Sequence, residues 1–182
     1  MVADAIAKGA PVTSFSTGTV HPGKYLVLAS GDIASVEVAF EIVADAGPSS
    51  LIDSMFIPDI ADDVARAIVS AERNADTTAE AVGVVETESV ASAIEAADAA
   101  VKNADVELAV LRLADGLGGK AFFIVEGTVG DVESSVAAAI DRCGERFVST
   151  AVIPQLTPEI RADLASSSLF GETIITEMDG SG

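Results

Sequence analysis

Apolar and polar positions alternate along the chain in two rhythms, and the same order of rhythms occurs twice. Ile33, Val36, Phe40 and Val43 recur at spacings of three and four, which marks one face of an amphipathic helix over residues 33–46. A matching helix is predicted over residues 129–143, and Asp32 and Thr128 stand where an N-cap is needed. Each helix is preceded by two strand-like runs joined by a glycine loop, residues 12–20 and 24–29 in the first case and 106–113 and 121–125 in the second. Each is followed by a further strand-like run, residues 50–57 and 147–153, stopped by Pro58 and Pro154. Residues 4–8 read as the end of a helix closed by Gly9 and Pro11. The counterpart, residues 98–102, ends a longer helix that begins near Ser89 and follows a strand over residues 81–87.

The register between the two halves is constant. An offset of 96 residues carries Gly23 to Gly119, Lys24 to Lys120, Gly31 to Gly127, Val36 to Val132, Asp45 to Asp141, Ile57 to Ile153 and Pro58 to Pro154. Such a period is the length of a small domain, so the chain reads as an internal duplication. Each unit follows the order βαββαβ, giving an α/β (α+β) fold with one antiparallel-rich sheet and helices on one face. The division expected is a first domain over residues 1–73, ending in a helix over 62–73. A linker at 74–78 and a second domain over 79–156 follow. The tail, 157–182, contains a short helix around 158–164 and a strand-like run at 173–178.

The first unit lacks its opening strand. Aligning Asp4 with Asp98 leaves residues 79–97 without a counterpart, and in this topology the opening strand is internal. Its absence exposes ladder amides that cost roughly 1–3 kcal/mol each when buried unpaired. Two explanations stand side by side. Either the chain starts downstream of its natural N-terminus, or the tail supplies the strand through residues 173–179, in its own or an adjacent subunit.

Composition narrows the function. Hydrophobic residues make up 49% of the 182, mostly Ala and Val, with no Trp and one Tyr, so the core is built from small side chains. The formal charge of −19 argues against nucleic acid and anionic membranes as partners. No run of about 18 uncharged apolar residues is present, and residues 1–8 lack the basic start of a secretory signal, which makes a cytoplasmic location the expectation. Cys143 is the only cysteine, which excludes an intramolecular disulfide, and it reads as a small core residue. There is no Cys/His cluster and no Ser–His–Asp or P-loop spacing, so an enzyme is not expected. The run Gly116-Leu-Gly118-Gly119-Lys120 is too short for a phosphate loop and joins two strands rather than a strand and a helix.

Several of these runs carry a resemblance. Ala81-Val-Gly-Val-Val-Glu-Thr-Glu-Ser-Val90, then Asp98, Lys102, Gly118-Gly119-Lys120, Gly127-x-Val-x-Asp-Val132 and Val152-Ile-Pro154 resemble the bacterial microcompartment shell domain. In the first half, Pro22-Gly23-Lys24, Gly31-Asp32-Ile33 and Ser54-Met-Phe-Ile-Pro58 are similar to the first domain of tandem-domain shell proteins, notably those of propanediol-utilisation compartments. The likeness covers roughly residues 3–156.

The resemblance implies a homotrimer of two-domain subunits, a pseudohexamer that tiles a protein shell with other shell proteins, hexamers and pentamers, around encapsulated enzymes. It places Thr19, Val20, His21, Pro22 and Gly23, with Gly116, Leu117, Gly118 and Gly119, around a central pore for metabolite, metal or electron passage. It also sets Lys8, Lys102 and Gln155 at the edge that meets neighbouring discs. Without the family, the two lysines read as solvated cations at helix C-termini. Asp59 and Gln155 stand where many shell domains carry an arginine after Ile-Pro. His21 replaces a cysteine that in the propanediol-utilisation type helps to hold an iron–sulfur cluster. The missing thiol makes such a cluster unexpected here, whereas three imidazoles on a threefold axis can hold a divalent metal or gate the pore by protonation. A loop histidine can equally be just solvated. The other reading of the same fold is a discrete trimer that binds a small ligand or a metal.

Overall fold

The computed structural model describes residues 2–45, 51–70, 79–114, 116–157 and 159–160. Its elements in chain order are α1 (Val2–Gly9), β1 (Ser14–Val20), β2 (Lys24–Ser30), α2 (Ile33–Asp45), α3 (Asp62–Ser70), β3 (Ala81–Thr87), α4 (Val90–Asn103), β4 (Glu107–Leu113), β5 (Ala121–Gly127), α5 (Val129–Cys143) and β6 (Phe147–Pro154). A single 3₁₀ turn, Gly144–Arg146, joins α5 to β6. Among the described residues no helix is long and apolar enough to cross a membrane.

The second half is a complete βαββαβ unit. Its four strands lie in the order β4-β5-β3-β6 and every pair is antiparallel. The opening strand β3 is therefore internal, as the topology requires. Ser89 starts α4 by accepting from Ser92 N at 3.1 Å. Thr128 starts α5 by accepting from Asp131 N at 3.2 Å. Each satisfies an amide that the first helical turn leaves without an intrahelical partner. Ala81, Val85, Phe123 and Val125 turn one sheet face into the core against Ile94, Ala97, Val132, Val136 and Ala139. Gly83 lets α5 sit directly on β3, since a Cβ there would fall 2.7 Å from a methyl of Val136 and 2.9 Å from one of Val132. The other sheet face buries Val82, Ala109, Val110 and Ile124 with Leu156.

The first half is a partial copy. β1 and β2 form a two-stranded hairpin with Ser14 opposite Ser30 and Val20 opposite Lys24. α1 packs against α2, burying Ile6 and Ala39. Asp32 caps α2 as expected, accepting from Ser35 N at 2.9 Å and from the Ser35 hydroxyl at 2.7 Å. These bonds hold its carboxyl below the usual carboxylate range.

Two expectations are corrected here. Residues 51–57 form no strand. Their counterpart β6 is held by pairing with β3, and among the described residues the first half has no equivalent of β3 to pair with. The segment instead crosses to the second half, where Met55, Ile57, Ile60 and Ala61 pack on its core and Val64 of α3 is fully buried in it. Ile33, placed on the buried face of α2 by its spacing, is 54% exposed, although its counterpart Val129 packs on the second core. The helix has the right pattern but half a sheet to lie on. The expected linker at residues 74–78 lies outside the described residues, as do the end of the helix over 62–73, the expected tail strand over 173–178 and most of the tail helix.

Candidate functional site: paired glycine loops and a domain junction

Both glycine loops are tight connections at the tips of hairpins. The first spans His21, Pro22 and Gly23 between the paired residues Val20 and Lys24. The second is closed by Ala114 N donating to Lys120 O at 3.1 Å, Leu117 N to Ala114 O at 3.0 Å and Lys120 N to Leu117 O at 3.2 Å. Gly118 and Gly119 hold φ of 67° and 82°, a region where a side chain is strained. The fold brings the two loops together. A Cβ on Gly118 would lie 3.8 Å from Pro22 Cδ, and one on Gly119 would run into the Lys24 side chain, 2.8 Å from its Nζ. Lys24 thus lies across the second loop. Lys120 turns instead to Glu86 of β3 at 3.2 Å, a partner on the one strand that the first half lacks. Below the loops a cleft of about 250 Å³ separates the β1–β2 hairpin, including Thr19, Val20, Leu26 and Leu28, from Leu113 and Ala114.

Of the residues singled out from sequence for this region, Thr19, His21, Pro22, Gly23, Gly116 and Gly118 are exposed. Val20 and Leu117 are half-buried and Gly119 is buried. Among the described residues of one chain this surface is backbone, the Thr19 hydroxyl, the His21 imidazole, the Pro22 ring and two half-covered aliphatic side chains, with the Lys24 ammonium lying across it.

The three residues assigned to the disc edge lie in different settings. Lys8 pairs with Asp4 at 2.8 Å on the open surface of α1. Lys102 pairs with Asp98 at the same 2.8 Å and also donates to the carbonyl of Asp59. Gln155 is exposed, with φ of 55°, a conformation that Asp59 does not share, and its N–H donates to Glu80 O at 2.7 Å.

Sequence reasoning missed the centre of this second site, Asp98. One of its carboxylate oxygens takes the Ala61 N–H at 2.7 Å and the other takes the Lys102 ammonium. The side chain is only 12% exposed. Beside it Arg142 pairs with Glu95, and at the start of α4 Ser89 donates to Asp53 and Arg146 donates to Ile52 O at 2.6 Å. The segment 51–61 is tied down on the second half by charge-assisted hydrogen bonds of this kind. The available signal was the repeated Asp-x-x-x-Lys spacing, at residues 4 and 8 and again at 98 and 102.

The model of the BMC domain matches this chain twice, over residues 1–60 and 81–156. The chain belongs to the BMC-domain family. Among its relatives, the bacterial microcompartment shell protein PduT of Citrobacter freundii is 38% identical over 154 residues, 84% of this chain and 83% of the relative. The major carboxysome shell protein CsoS1A of Halothiobacillus neapolitanus is 36% identical over 89 residues, which is 47% of this chain and 89% of that protein. Half of this chain thus corresponds to nearly the whole of a shorter member of the family, in keeping with the duplication. The crystal structure of a microcompartment protein from Desulfitobacterium hafniense superposes with a TM-score of 0.74 at 37% identity, covering 88% of this chain and 89% of that one.

The donors present bear on what this BMC-domain chain can hold. Among the described residues no three His, Cys, Asp or Glu side chains converge as a metal group. His21 offers one imidazole per chain, so a metal there needs several copies. An iron–sulfur cluster needs thiolates, and the one thiol, Cys143, is buried in the core of the second half. The loop does not fit such a cluster. Burial, assisted by the charge of Glu95, pushes the Cys143 thiol up to about 11. The sign follows from that direction. The stabilising contribution of the protonated thiol is complete below the ordinary value of 9.0 and is lost as pH rises through about 11. At pH 8 the folded protein should hold about a hundredfold less thiolate than the unfolded chain. Iodoacetamide labelling is therefore expected to be slow until denaturant is added.

Proposed function

We propose that this chain is a structural shell protein of a bacterial microcompartment, a homotrimer whose six domains form a pseudohexameric disc with the two glycine loops around a central pore. The observation that carries the reading is the meeting of the two loops at one place in the fold. Pro22 lies beside Gly118, and the Lys24 side chain occupies the space that a Cβ on Gly119 would need, so the tips of both units converge, as a pore built from alternating domains requires. Backbone and glycine at the tips leave room where chains come close. The shell names of PduT and CsoS1A favour the same role.

In this reading the trimer works in the cytoplasm, in the microcompartment shell, beside hexameric and pentameric shell proteins and around encapsulated enzymes. Lys8, Lys102 and Gln155 belong to the perimeter, and Lys102 keeps 42% of its side chain exposed there. His21, three per disc, lines the pore and either gates it by protonation or holds a divalent metal.

Native mass spectrometry tests the assembly and the histidine together. A trimer is expected. Zinc added in slight excess should leave one ion per trimer, and the His21→Ala variant should remain trimeric and bind none. A protein that stays monomeric at every concentration contradicts the disc. A trimer whose zinc content is the same with and without His21 removes the metal role and leaves the pore. Sheets seen by electron microscopy would separate a tile from a discrete ligand-binding trimer.

A further inference from the structure

The junction inside the chain has two components, and among the described residues each occurs a second time without its partner. One component is the turn Ile57-Pro58-Asp59-Ile60-Ala61, which presents the Asp59 carbonyl and the Ala61 N–H. The other is the pair Asp98 and Lys102 on α4, which receives them. The duplication repeats the turn as Ile153-Pro154-Gln155-Leu156-Thr157 and the pair as Asp4 and Lys8 on α1. The second pair is preformed, since Lys8 and Asp4 stand at the same 2.8 Å as Lys102 and Asp98.

What differs is the covering. The side chains of Asp98 and Lys102 are 12% and 42% exposed, those of Asp4 and Lys8 61% and 74%. Ile57 packs against the core of the second half, whereas Ile153 is 42% exposed. Among the described residues the Asp4–Lys8 pair stands open, and the turn at 153–157, anchored to its own half by the buried Leu156 and by the Gln155 N–H on Glu80 O, leaves Ile153 and Thr157 exposed.

We infer that Asp4 and Lys8 of one copy receive residues 155–157 of a second copy of this chain. The Thr157 N–H donates to the Asp4 carboxylate and the Lys8 ammonium donates to the Gln155 carbonyl. The contact at position 155 is made by the backbone, so the side chain there can differ from Asp59, and Gln155, whose φ of 55° Asp59 does not share, presents its carbonyl from a differently turned chain. A lysine has three N–H donors, so Lys8 can serve this junction and still face a neighbouring disc. Such a contact joins unlike surfaces head to tail, and a head-to-tail contact gives a ring when its rotation closes. The inference rests on the trimer reading above, in which three junctions within chains would alternate with three between them.

Paired cysteines test it. In the intrachain junction the Asp98 side chain reaches the backbone N of Ala61 at 2.7 Å, so positions 61 and 98 are neighbours and serve as the intrachain reference pair. Asp98→Cys with Ala61→Cys should close within one chain. Asp4→Cys with Thr157→Cys should instead give covalent dimers and trimers on a non-reducing gel. Asp4→Ala and Lys8→Ala, on an exposed helix face, should keep the fold by circular dichroism and raise the concentration of half-dissociation at least tenfold. If the unaltered protein is trimeric while the 4/157 pair gives no intermolecular disulfide and Asp4→Ala dissociates like the parent, the junction is wrong and the trimer stands. If the unaltered protein is monomeric, the trimer reading has failed and this inference with it.

Discussion

Replacing Asp98 with alanine should destabilise the chain by about 3 kcal/mol, more than any other single change of a charged residue described above. The carboxylate is 12% exposed and satisfies two donors from different places, the Ala61 N–H and the Lys102 ammonium. Hydrogen bonds to a buried charge contribute about 1.5–3 kcal/mol, and removing one partner also leaves the others desolvated. In a protein of this length that is a fall in Tm of roughly 6–12 °C. Asp98→Asn keeps an acceptor for Ala61 and loses the charge facing Lys102, so it should fall between the two. Asp4→Ala removes the equivalent residue at 61% exposure and should change the stability of the single chain by less than about 1 kcal/mol. Chemical denaturation of the three variants gives the comparison. An Asp98→Ala protein within 1 kcal/mol of the parent would mean that the segment 51–61 is held by its apolar contacts alone.

The contrast between Asp4 and Asp98 shows where a sequence stops being informative. Both lie four residues before a lysine near the end of a helix, and both form the same ion pair. Local pattern fixes the helix and the pair. It does not say that one copy is covered by a turn 37 residues earlier in the chain while the other faces solvent. The two loops behave alike. Their glycines were legible because a tight connection needs positive φ, and the structure has it at Gly23, Gly116, Gly118 and Gly119. That Lys24 lies over Gly119 while Lys120 pairs with Glu86 depends on which strand each half possesses.

The same reasoning accounts for the failed strand at residues 51–57. Two short apolar runs, 51–52 and 55–57, stopped by Pro58 describe a segment able to pair, and pairing needs an edge to pair with. In the second half β3 provides two, one for β5 and one for β6. Strands and helices of that half were predicted to within a few residues because every local preference there agrees with the tertiary partner it meets. In the first half the helices, whose hydrogen bonds are internal, and the hairpin strands β1 and β2, which pair with each other, were equally legible, and only the strand that needed a partner from elsewhere was not.

Phe123→Ala should then be the most damaging apolar truncation, lowering stability by about 3–5 kcal/mol. Phe123 is fully buried in the middle of β5, opposite Val85 of β3 and Leu111 of β4, and it belongs to the core shared by α4, α5 and α3. Surrounding strands on both sides prevent the sheet from closing over the void, so both the lost transfer energy and the cavity term apply. The neighbouring register position offers the comparison between halves. Ile124 is 5% exposed and its counterpart Leu28 is 37% exposed. Ile124→Ala should cost about 2–4 kcal/mol and Leu28→Ala less, about 1–2 kcal/mol, because more than a third of Leu28 is already in contact with water. Urea midpoints measured below the concentration of trimer formation read the chain itself. A Leu28→Ala loss as large as that of Ile124→Ala would mean that the outer face of the β1–β2 hairpin is covered in the single chain, and that the first half is a more complete domain than its two strands indicate.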